Sequence, residues 1–109
     1  MEMKRGPQPL VVDVSTSAAG STEIEKGFQT TGSIQLPSGS GTTEITVYAK
    51  LGGNDYAIAE NDLGGAIKME GLTAGKPRML PPEVYNFPRI KLVASAGTAT
   101  SDVSVWLTT

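Results

Sequence analysis

Asn54, Asp55, Glu60, Asn61 and Asp62 gather five oxygen-bearing side chains into two neighbouring turns. Calcium takes about six to eight oxygen ligands, and adjacent loops at one end of a β-sandwich can supply them. The spacing matches no helix–loop–helix or nonapeptide calcium pattern, however, and turns use Asn and Asp to satisfy their own backbone. The chain contains neither histidine nor cysteine. The commonest general base and the commonest zinc ligands are therefore missing, together with every Ser–His or Cys–His arrangement. Eleven acidic residues are scattered without forming a carboxylate pair suited to glycoside hydrolysis. Gly64-Gly65 and Gly75-Lys76 neither open a helix nor match a phosphate-binding loop. The expectation is a protein that is not an enzyme and needs neither cofactor nor metal.

The remaining chemistry is aromatic. Trp106 alternates with Val103, Val105 and Leu107, which places it on the opposite side of the last strand. Tyr48 faces away from Ile45, Val47 and Ala49 for the same reason. An aromatic ring on the outside of a sheet suits burial in a protein interface or stacking on a sugar ring. Trp106, Tyr48, Pro7, Pro9 and Leu10 are the interface candidates. In the alternative, a carbohydrate-binding module, Trp106, Tyr48, Tyr56 or Tyr85 would stack on sugar.

These residues need a scaffold. A chain of 109 residues supports one hydrophobic core. Thirteen glycines and seven prolines, with abundant Ser and Thr, describe an all-β chain rich in turns. A formal net charge of −2 with scattered Lys and Arg offers no nucleic-acid footprint. No apolar run is long enough for a signal peptide or a membrane span, so no membrane partner is expected.

Residues 1–9 are polar and read as an extended N-terminal arm; residues 10–109 read as one domain. Leu10 to Val14 alternates as a first strand, and Ser21 to Phe28 is expected to form a twisted one, with Phe28 plugging one end of the core. SIQLP at 33–37 turns Ile34 and Leu36 inward, and EITVYAKL at 44–51 is the strongest strand by composition. Gly52-Gly53-Asn54-Asp55 reads as a turn supplying positive φ, followed by a return strand. Ala66 to Glu70 is a further strand. Pro81 and Pro82 mark a corner, with one helical turn over 82–87. Ile90, Leu92 and Ala94 then alternate with Arg89, Lys91 and Val93, and a Gly97 turn leads into the final strand. About eight short strands at this spacing predict a jelly-roll-like antiparallel β-sandwich, with an immunoglobulin-like sandwich second.

The strand ITVYAK, the turn and return GGNDY, the run TAGKPRMLPPEVYNFPRIKLVAS and the closing SDVSVWLTT resemble a group of small virion proteins of tailed bacteriophages. The resemblance covers about residues 33–109, with Leu80, Pro81, Phe87, Ile90, Lys91 and Leu92 at the matching places. It lacks the tryptophan and the acidic turn found around the return strand of that group. The resemblance implies a β-sandwich and a non-enzymatic structural role, decorating or cementing a capsid. It implies the major capsid protein or other virion proteins as partners, a homo-oligomer (a trimer first), and location in the virion.

Overall fold

The computed structural model describes residues 9–27 and 29–108. Nine strands and one 3₁₀ turn occur among them: β1 Leu10–Val14, β2 Ile24–Glu25, β3 Thr31–Gln35, β4 Thr42–Lys50, β5 Ala57–Ile58, β6 Lys68–Met69, β7 Pro77–Met79, the turn Pro82–Asn86, β8 Arg89–Gly97 and β9 Thr100–Thr108. They form two antiparallel sheets, one ordered β1-β9-β3-β7 and the other β2-β8-β4-β5, with β6 also pairing to β4. Successive strands cross between the sheets except at the β4–β5–β6 meander. That is the strand order of a jelly roll, and the chain is an all-β sandwich.

The alternation that selects strands also builds the core. Val12, Val14, Ile34, Val103 and Val105 from the first sheet meet Ile24, Ile45, Val47, Ile90 and Leu92 from the second, all buried. Each carries a branched side chain that fits a pleated, covered surface. The 3₁₀ turn closes one end with Val84 fully buried and Tyr85 and Phe87 packed alongside. Proline at its start fits, because the first N–H of a helical turn has no internal partner. Leu80, just before the corner, is buried, and its N–H bonds the carbonyl of Gly32 at 3.0 Å.

Several expectations need adjustment. The strand expected over Ser21 to Phe28 shrinks to Ile24–Glu25, and that over Ala66 to Glu70 to Lys68–Met69. The plug assigned to Phe28 lies outside the described residues. The Gly97 turn holds: Gly97 has φ +83, and any Cβ there would strike the carbonyl oxygen of Gly41. At Asp102 the chain adopts φ +58, and the ladder to β1 shifts register there, a bulge in β9.

Edges are treated individually. Toward its open side, β1 offers Pro9, which has no N–H, and Asp13, whose N–H and C=O both bond Thr22. At the other end of that sheet β7 is three residues long and opens with Pro77. Strands β2, β5 and β6 each have two residues. Short strands and prolines discourage edge-to-edge pairing.

Candidate interaction surface

Strand β9 lies between β1 and β3, so an outward side chain on it occupies the middle of the first sheet's outer face. Trp106 is that side chain. It pairs across the ladder with Ser33, which in turn pairs with Met79 of β7. One pair along, Ser104 stands between Val11 and Gln35. Small polar residues thus separate a half-buried indole from exposed apolar groups: Val11 is 64% exposed and Met79 78%. On the outward positions of these strands only Asp13 and Asp102 carry charge, and both sit at the end remote from Trp106.

The second sheet's outer face is built on different principles. Arg89, Lys91 and Lys50 project from β8 and β4, and Glu25 and Glu23 stand along the β2 side. Tyr56 donates its hydroxyl to Glu23 Oε2 at 2.6 Å, while Lys50 and Lys91 lie 5.2 and 4.7 Å from its ring centroid. Ion pairs Lys50–Glu23 (3.9 Å), Lys68–Glu44 (3.8 Å) and Arg89–Glu25 (3.8 Å) complete the network. The hydrogen bond from Tyr56 holds the Glu23 carboxyl below its usual range. Burial, reinforced by Glu23, pushes the Tyr56 phenol well up. Such surface pairs contribute little each, typically ~0–1 kcal/mol. Their arrangement ties the β1–β2 connection and the β4–β5 hairpin to the sheet.

That connection also covers part of this face. Ala94 N–H bonds Ser15 C=O at 2.8 Å, and Lys91 Nζ donates to Ala18 C=O at 2.8 Å. Val93 alternates onto the outer side with Arg89 and Lys91 but is only 4% exposed. The alternation was read correctly; what covers it is a loop, which periodicity cannot report. A shallow cavity of about 350 Å³ remains here, lined by Tyr48, Thr16, Thr46, Lys68 and Ser95 among others.

The structure separates the candidates named from sequence. Trp106 and Tyr48 lie on opposite outer faces of the sandwich. Pro9 is exposed and precedes Leu10, which pairs with Val105; Pro9 thus stands at the Trp106 level. Leu10 shares the core side of its sheet with Val105 and is 46% exposed at the margin, so it borders the core rather than the Trp106 face. Pro7 lies outside the described residues. Val11 and Met79 were not singled out. Val11 could have been, since it alternates against Leu10 and Val12; Met79 sits in a three-residue strand with no period to read.

Tyr56 bonds Glu23 and Tyr85 packs at the core's end, its hydroxyl donating to Gly32 C=O at 3.3 Å, so neither is a free sugar platform. Asp55, Glu60 and Asp62 do not converge: among the described residues no group of three or more Asp or Glu side chains could hold a metal ion. Asn61 instead caps its own turn, its Oδ1 accepting from the N–H groups of Leu63 and Gly65, each at 2.9 Å.

One buried group stands apart. Lys26 follows Ile24 on the inward side and is only 2% exposed. Its amine has no hydrogen-bond partner among the described residues and lies 5.6 Å from the Tyr85 ring centroid. Burial pulls its pKa down and pushes that of Tyr85 up.

No family model matches the chain, and neither the curated proteins nor the solved structures give a match.

Proposed function

We propose that the chain is a non-enzymatic structural component of a tailed-phage particle, decorating or cementing the capsid. It docks through the outer face of the β1-β9-β3-β7 sheet. The reading joins the sequence resemblance to one observation: Trp106 sits half-buried between exposed Val11 and Met79, on a sheet face whose charged strand residues, Asp13 and Asp102, lie at the far end. Charge depletion with a central aromatic anchor is the composition of a contact core. Four strands give a face of roughly 400–500 Å² at ordinary strand spacing, below the roughly 800 Å² per partner of a standard interface. A single copy would be held weakly, and a homo-oligomer, a trimer first, would add contacts that bind together.

The test compares wild type with Trp106→Ala, measuring mass in solution and occupancy on purified particles. The expected result is a folded variant with occupancy reduced at least tenfold. Unchanged mass and occupancy would remove Trp106 as anchor. A second reading, saccharide binding, is favoured by the cavity in which Tyr48 adjoins the hydroxyls of Thr16, Thr46 and Ser95. Polysaccharide binding lost in Tyr48→Ala, with no association to capsids or tails, would replace the first reading by this one.

A further inference from the structure

Two cavities, of about 280 and 250 Å³, share Glu60 and Phe87 and so form the two halves of one groove along the β5 margin. Asp55 and Glu60 line the first half; Glu60, Asp62 and Glu83 line the second. Leu51 and Phe87 add apolar surface. Glu23, Glu25 and Glu44 are ion-paired; the four groove carboxylates, like the scattered Asp13, Glu70 and Asp102, have no such partner among the described residues. Lys50 touches one end of the groove, but its amine is directed to Glu23. Because these acids do not converge on one point, the groove suits cations spread along a chain rather than a single ion.

Most cations of the described chain are already engaged: Lys50, Lys68 and Arg89 in ion pairs, Lys91 and Arg78 on carbonyls. The adjacent cations Lys4 and Arg5 belong to the segment MEMKRGPQ that precedes Pro9, after Met1, Glu2 and Met3. Methionine is the adaptable apolar residue that irregular apolar pockets accept. We propose that this groove receives the Met1–Gln8 segment of a second copy of the chain, Lys4 and Arg5 meeting its carboxylates.

A neighbour's groove is favoured over the chain's own because β1 adjoins the β2 edge of the second sheet, where Asp13 bonds Thr22, whereas β5 is the opposite edge of that sheet. This contact is separate from the Trp106 face, and either can fail alone.

The experiment uses full-length protein and charge reversal. One variant carries Lys4→Glu with Arg5→Glu; the other carries Asp62→Lys with Glu83→Lys, both exposed positions. Mass is measured by sedimentation over a concentration series at low and high salt, with circular dichroism confirming the fold. Wild type should self-associate, more weakly in salt. Each variant alone should lose at least tenfold in association constant, and an equimolar mixture of the two should regain it, since one variant's segment then matches the other's groove. A monomeric wild type overturns the proposal. So does association unaffected by either reversal, which would leave the Trp106 contact standing. Failure of the mixture to associate removes the second copy as occupant.

Discussion

The two outer faces of this sandwich come from antiparallel strands with the same alternation, yet they solve opposite problems. The face of β2-β8-β4-β5 is laced with ion pairs, with two lysines over Tyr56 and a loop drawn down onto Lys91 and Val93. It satisfies its own side chains. The face of β1-β9-β3-β7 carries Trp106, Val11 and Met79 between serines, with no ion pair among its described residues. Long charged side chains lose rotamer entropy when ordered and cost free energy to desolvate; indole and thioether groups, whatever rotamer freedom they lose, gain by leaving water. The difference teaches that one face is satisfied by the chain's own side chains and loop, while the other is the face on which the proposed docking rests.

Both faces are defined by what lies between them, so the largest test concerns the core. Leu92→Ala should cost about 2–5 kcal/mol in denaturant unfolding, since the side chain is buried between the sheets. A cost below about 0.5 kcal/mol would mean that inside and outside are exchanged on β8, because a one-residue slip flips every side chain.

Lys26 probes the core's end. Its pKa is depressed in the fold by burial, so between the folded value and the unfolded value near 10.5 the unfolded chain holds a proton that the native state has released. Stability therefore rises with pH across that window. Lys26→Met should raise the melting temperature at neutral pH by several degrees and flatten that rise. A lower melting temperature, or an unchanged slope, would show the amine to be solvated in the native state.

On the charged face, Tyr56→Phe should cost no more than about 1 kcal/mol, because its hydrogen bond to Glu23 is exposed and screened. A loss above 2 kcal/mol would make this network a structural keystone rather than a finished surface. The smallest effect belongs to the other face. Met79→Lys should change stability by less than about 0.5 kcal/mol, as for an ordinary exposed site. A loss above 1.5 kcal/mol would indicate that part of this chain already covers the Trp106 face, and the contrast between the faces would collapse.

Much of this plan could be read from the residues. Ile45, Val47 and Ala49, Ile90 and Leu92, and Val103 and Val105 repeat with period two because each strand has one side in the core, and the sandwich follows from them. Strand β7 went unread, since three residues carry no period, while β5 and β6 were legible only as longer strands, their extent depending on pairing with β4. The burial of Val93 and the separation of Tyr48 from Trp106 depend on a loop path and on sheet membership, and neither is local. Lys26 fell on the side of Ile24 in the alternation, but a charge on the inward side contradicts burial preference, and only the packed end of the core shows that it is covered.

Leu10 finds its ladder partner, Val105, nearly the whole chain later. At a synthesis rate of about 5–20 residues per second, β1 spends several seconds without a neighbour before β9 is made. Strand β3 waits for the same partner, since β9 sits between them. The second sheet is assembled from nearer pieces, with β4, β5 and β6 contiguous and β8 following. The sheet that carries Trp106 is thus the last to close, and Val11 and Trp106 come to lie on one surface only when the final strand is in place.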